Sequence, residues 1–411
     1  MRVKLSDVCV EGGIQTGPFG TQLHQSDYSE WGTPVCMPVN LVDGSISENG
    51  IARVSEEHVE RLSRYKVKRG DLIYARRGDV GRGSLVGARE DGWLCGTGCL
   101  KVTPDPSKID SRYLFYLTSL PETIGWLVNH AKGTTMLNLN TAILSSLPLV
   151  IEKNLEKQRR IAGVLSAYDE LIENNRRQIK LLEEAAQRLY REWFIDLKFP
   201  GHETTPIVDG LPEGWQKGSL LDFADFYRGK SYTSNDLVES GKMRLANLNS
   251  IAAYGGWACG AEKPYAGAYK PEQLISFGDV IMAVTDMTKE RRLVGHVARV
   301  PRQADGFLMS MDLIKFVPKN VTANYLYTTL RFSGVAEMIA MLANGTNVLH
   351  LKSDALDRVI FIRPDCEIQE RFSETVESLI VTCEHLEQAA SSAREARDRL
   401  LPKLMSGEIE V

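Results

Sequence analysis

Three arginines, Arg76, Arg77 and Arg82, bracket "GDVG" in the stretch "ARRGDVGRGS". Arginine carries a planar fork of donors that fits two acceptors at once. The chemistry on offer is hydrogen bonding to a phosphate or to the acceptor edge of guanine. The neighbouring glycines let backbone approach such a ligand closely. Gln22, His24 and Gln25 in "GTQLHQSD" follow a Gly-Pro turn, and glutamine can meet the adenine edge in a two-pronged way. A later stretch offers a second set. Arg228 and Lys230 lie in "YRGKSY", interleaved with Tyr227 and Tyr232. Asn247 and Asn249 lie in "ANLNS", and Lys289, Arg291 and Arg292 in "TKERR". For each group the plainer alternative is a solvated loop or hairpin.

Other motifs are weaker. Cys95 and Cys99 in "CGTGC" have a spacing that admits zinc. No second Cys/His pair stands at finger spacing, so a buried strand suits them better. "GRGSLVG" has neither a helix-opening GxGxxG nor a P-loop lysine. H-E-x-x-H, G-x-S-x-G and the adenine-methyltransferase motif N-P-P-[YF] do not occur. The expectation is a binding protein with no catalytic residue and no metal.

Composition narrows the class. The chain has 411 residues, so two or three domains are expected. No apolar run approaches a membrane span, and "MRVKLSDVCVEGG" has no secretory pattern. Seven scattered cysteines suit a reducing cytoplasm better than a disulfide framework. The net charge of −4 is unlike the basic balance of most nucleic-acid binders. Any such role must rest on local basic patches.

The elements that position these groups occur twice. "KGTTMLNLN" (132–140) is echoed by "NGTNVLHLK" (344–352). "RGDLIYARRGDVGRGSLVG" (69–87) is echoed by "FGDVIMAVTDMTKERRLVG" (277–295), and "DSRYLFYLTSL" (110–120) by "TANYLYTTLRF" (322–332). The order is the same in both halves, so the chain is a tandem duplication of one module. The variable polar positions of the repeated phrase, Thr134, Thr135 and Asn138 against Thr346, Asn347 and His350, join the candidate contact residues. Short β-like runs broken by Gly and Pro, with a few helical pieces, predict an α/β or α+β unit in each copy.

Each copy ends in a long helix with heptad spacing. Ile161, Leu165, Tyr168, Ile172, Asn175, Ile179, Leu182, Ala186, Leu189 and Trp193 follow a 4-3-4-3 pattern. So do Phe372, Val376, Leu379, Cys383, Leu386, Ala390, Ala393, Arg397, Leu400 and Leu404. Asn175 and Arg397 are the polar members, of the kind that fixes register. The pattern predicts that the two helices pair antiparallel, giving an internal pseudo-two-fold repeat. The expected layout is a first globular domain over 1–150, a central helix over 151–197, a second domain over 198–365 and a C-terminal helix over 366–411.

Taken together, "GGIQTGPFGTQLHQSDY", "GDLIYARRGDVGRGSLV", "GTTMLNLNTAILSSLPLVI" and "LEKQRRIAGVLSAYDELIENNRRQIKLLEEAAQRLYREWF" resemble the DNA specificity subunit of type I restriction–modification systems. The likeness runs through essentially the whole chain. It implies two target-recognition domains that read the two halves of an asymmetric double-stranded DNA site across an unspecified spacer. It also implies a non-catalytic scaffold for two methyltransferase subunits and, in the larger complex, restriction subunits. S-adenosylmethionine would then belong to the methyltransferase partner, and ATP and magnesium to the restriction partner. The second copy departs from the pattern, with "VTDMTKERR" in place of "RRGDVGRGS" and only a loose echo of "TGPFGTQL" in "YRGKSYTSND". The alternative is a coiled-coil adaptor that holds two protein partners without reading DNA.

Overall fold

The computed structural model describes residues 1–133 and 137–411 and, at Ser353, the backbone alone. It divides into two compact units, one of residues 1–170 with 394–411, the other of residues 171–393. Each unit therefore holds part of both long helices.

The first unit is built on an antiparallel four-stranded sheet. Its order is Cys9–Thr16, Cys99–Pro104, Leu72–Ala75, Gly83–Leu85. The second unit repeats this order with Ala224–Arg228, Leu313–Pro318, Val280–Ala283 and Val297–Arg299. A smaller sheet accompanies each. In the first unit Leu94–Cys95 runs parallel to Thr33–Cys36, and in the second Leu308–Met309 runs parallel to Arg244–Ala246. A two-stranded ribbon closes each module, Arg2–Lys4 with Pro148–Val150 and Gln216–Ser219 with Ile360–Arg363. Mainly antiparallel sheets with segregated helices make each unit α+β. The duplication seen in sequence is thus a duplication of topology.

The same chemistry starts the same helices. Asp110 caps Ser111–Thr118 by accepting from the amides of Arg112 and Tyr113, and Thr322 caps Ala323–Phe332 by accepting from that of Tyr325. A buried glutamine of each long helix locks the cap in place. Gln158 Oε1 accepts from the Asp110 amide at 2.8 Å and its Nε2 donates to the Glu152 carbonyl at 2.7 Å. Gln369 makes the equivalent bonds to Thr322 and Pro364 at 3.0 and 2.8 Å.

The long helices are Leu155–Tyr190 and Cys366–Ser406. They run antiparallel within each unit. In the first, Ile161 and Leu165 share a core with Leu401 and Leu404, and Asp169 pairs with Arg397. In the second, the buried Asn175 donates to the Leu386 carbonyl at 3.5 Å, and Tyr190 stacks edge-on to Phe372. Along the seams Ile172, Ala186, Val376, Ala390 and Ala393 are buried. Tyr168, Ile179, Leu182, Leu189, Leu379, Cys383, Leu386 and Leu400 are half-buried. The seams do not serve the helix pair alone. Phe372, Val376 and Tyr190 share a core with Tyr325 and Leu326 of the adjoining module.

The first helix ends in a π-helical turn, Arg191–Ile195, which breaks the predicted spacing at Trp193. The wider turn re-aims the side chains. It brings the Phe194 ring to 4.7 Å from that of Tyr325 and 4.8 Å from that of Phe372.

Candidate nucleic-acid interface

In the first unit three loops converge. The repeated phrase folds back on itself, with Lys132 and Asn138 exchanging backbone hydrogen bonds at 3.0 and 2.7 Å. The returning strand then adds to the arginine loop, where the Leu139 amide donates to the Arg76 carbonyl at 2.8 Å and Asn138 bridges Arg77. Arg76 Nε donates to Asn138 Oδ1 at 3.2 Å, and its guanidinium lies 5.5 Å from the centre of the Phe19 ring on the third loop. Thr134 and Thr135 lie outside the described residues.

The second unit repeats the arrangement with other residues. Asn344 and His350 exchange backbone bonds at 3.0 and 2.9 Å, and the Leu351 amide donates to the Val284 carbonyl at 2.8 Å. Thr285–Asp286 pairs with Leu349–His350. Val284 and His350 thus stand where the first unit has Arg76 and Asn138. The glycine repeated in both phrases suits this shared backbone pairing. Gly133 and Gly345 adopt φ of 120° and 151°, a region costly for any side chain.

The glutamine-bearing loop and its loose echo also superimpose in role. The Gly17 amide donates to the Cys99 carbonyl at 2.9 Å, and the Gly229 amide to that of Leu313 at 3.0 Å. Each glycine passes against the backbone of a neighbouring strand end where no side chain fits. One such glycine stands in each copy of the sequence, and the pair marks "TGPFG" and "YRGKS" as equivalents.

The predicted contact residues divide into exposed and engaged. Arg77, His24 and Gln25 are exposed in the first unit, as are Arg228, Asn249, Lys289, Arg292, Thr346, Asn347 and His350 in the second. Gln22 Oε1 is occupied by the Tyr65 hydroxyl at 2.6 Å and the Phe19 amide at 3.3 Å, so it shapes the loop. Arg82 turns to Asp79 and donates to the Leu41 carbonyl at 3.3 Å. Asn247 is buried, capping a short turn through Asn249 and donating to the Ala261 carbonyl at 2.7 Å. Lys230 is fixed through its backbone to Met309 and Met311, and Arg228 Nε donates to the Met311 carbonyl at 3.1 Å. Arg291 has a left-handed φ of 53° and lays its guanidinium on the Met341 sulfur at 3.7 Å.

Sequence reasoning missed Asp286. This fully buried carboxylate gathers the second basic loop, accepting from the amides of Thr288, Leu293 and Val294 at 2.7, 2.6 and 3.2 Å. Burial alone would raise its carboxyl, but these hydrogen bonds hold it below the ordinary value. The "CGTGC" cysteines are buried in neighbouring strands beside Cys36, and burial pushes the Cys36 thiol up to about 12. Among the described residues no cluster of His, Cys, Asp or Glu is arranged to hold a metal, and no helix is long and apolar enough to cross a membrane.

Residues 20–184 match the family model described as the type I restriction modification DNA specificity domain. The chain is 23% identical over 372 residues to the type I restriction enzyme MjaIX specificity subunit of Methanocaldococcus jannaschii, covering 88% of this chain and 83% of that one. It is 22% identical over 403 residues to the HindI specificity subunit of Haemophilus influenzae, covering 84% and 87%. The crystal structure of the type I restriction–modification S subunit from M. genitalium superimposes with a TM-score of 0.60 at 16% identity, over 98% of this chain and 96% of that one. The likeness is to type I restriction–modification DNA specificity subunits: the domain model covers residues 20–184, and the two relatives, at 23% and 22% identity, run over 88% and 84% of the chain.

Proposed function

We propose that the two units read the two halves of an asymmetric, bipartite double-stranded DNA site. The long helices set the gap between the halves and offer the surface on which two methyltransferase subunits assemble, with restriction subunits joining the larger complex. The chain itself performs no catalysis. S-adenosylmethionine acts in the methyltransferase partner, ATP and magnesium in the restriction partner, and the complex works in the cytoplasm. The observation that carries this reading is the recurrence of one three-loop arrangement in both units, built on the same backbone pairings. The side chains differ, Arg76 and Asn138 against Val284 and His350. A shared frame with different side chains suits two different half-sites, because base-edge contacts specify sequence while phosphate contacts only position.

Exposed lysines and arginines on the loops supply phosphate contacts despite the net charge of −4. Binding should therefore weaken steeply with salt, each neutralised phosphate adding about −0.9 to the slope of log affinity against log salt. The test is enrichment from random-sequence duplexes by the complex with its methyltransferase subunits. The expected outcome is a split motif with a constant gap. Enrichment of no motif, or of one contiguous motif, would leave a protein adaptor as the better account.

A further inference from the structure

We propose that Phe19, Arg76 and Asn138 form one composite reader in the first unit, with Arg76 taking a guanine and Phe19 packing on the methyl group of a thymine in the adjoining base step. The inference rests on the functional reading above and names what that face recognises.

The three side chains come from three different loops. Phe19 is 52% exposed, an apolar ring left in water. Its position is not loose. The Phe19 amide is held by Gln22, the carbonyl of Pro18 accepts from the Thr97 hydroxyl at 2.9 Å, and Gly17 is hydrogen-bonded to Cys99. Arg76 is held twice, by Asn138 at its Nε and by the Phe19 ring against its guanidinium. Among the described residues neither of its terminal nitrogens has an acceptor. With Nε occupied and the ring against it, the guanidinium is left with its terminal pair of nitrogens to offer.

Two parallel donors match the O6 and N7 acceptors of guanine, the commonest specific contact in the major groove. A phosphate would also accept the fork, but it gives the exposed ring nothing to bury against. The thymine 5-methyl group does, and it lies in the same groove as guanine O6 and N7. The ring beside the fork thus favours base edges over backbone and places the methyl next to the guanine.

The experiment uses the complex with its methyltransferase subunits and the enriched duplex. Each guanine of the half-sites is replaced in turn by 7-deazaguanine, and each thymine by deoxyuridine, which lacks the methyl group. One 7-deazaguanine should cost on the order of tenfold in affinity, and one deoxyuridine beside it about threefold to fivefold. In Arg76→Ala, which removes every donor, the first penalty should vanish, and in Phe19→Ala the second, while penalties in the other half-site stay. Retained penalties in the other half-site also report that the variants fold. Penalties that persist in both variants, or half-sites without a guanine next to a thymine, would overturn the inference. A chain that enriches no split motif would overturn the functional reading and this inference with it, so the two failures are told apart.

Discussion

A methyl group on Gly17 would stand 2.0 Å from the Gly96 carbonyl oxygen, and one on Gly229 2.1 Å from that of Ser310. Both obstacles are backbone, so the loop must move. Gly17→Ala should cost about 1–3 kcal/mol of stability in the first unit, as forced overpacking does, and reduce selection at one half-site only. Gly20→Ala is the control, since nothing lies within 4 Å of its added methyl. Denaturant unfolding and half-site enrichment of the two variants check this, and equal behaviour would contradict it. At this scale the sequence was partly legible. Residue type identified Arg76 and Asn138, which do meet. It also suggested Gln22 and Asn247, whose carboxamides are taken up by the fold. Type and local spacing say nothing of which partner a carboxamide finds tens of residues away. Asp286 was illegible for a different reason: its partners are near in sequence, but their amides gather on it only when the loop closes.

Among the elements, the long helices were the most legible, because heptad spacing is a local signal that survives without partners. The π-helical turn at Arg191–Ile195 was not, since it answers to an aromatic cluster with Tyr325 and Phe372. Charges on the helices answer to the module they face. Arg299 is buried and pairs with Glu377 and Glu384 at 2.8 and 2.6 Å, while Arg331 pairs with Glu183 at 2.8 Å. Glu387 lines the same small cavity as Glu183, Glu384 and Arg299. Burial pushes its carboxyl up to about 8, with Glu183 and Glu384 adding and Arg331 opposing. The folded protein thus keeps a proton that the unfolded chain loses near the ordinary value of 4.5. The stability tied to it is fully present below that value and is lost as pH rises through about 8. Glu387→Gln should flatten this fall and make the second unit more stable than the parent at pH 8 and above. Hydrogen exchange of amides in Val280–Ala283 across that range reads it. An unchanged pH profile in the variant would contradict the assignment.

For the whole molecule, the duplication was legible because matched phrases keep their order, and the topology follows it strand by strand. Which bases are read was not legible, because the loops share a frame and differ in side chains. If a helix pair spaces two reading units, as proposed, lengthening that pair must lengthen the gap between the half-sites. Insertion of seven residues into each long helix, between the units, keeps the heptad register. It adds roughly 10 Å at 1.5 Å per residue, close to three base-pair steps of about 3.4 Å. The most direct measurement is enrichment from random duplexes by this variant beside the parent. The expected outcome is the same two half-sites with a gap about three base pairs longer. Altered half-sites across an unchanged gap would contradict it.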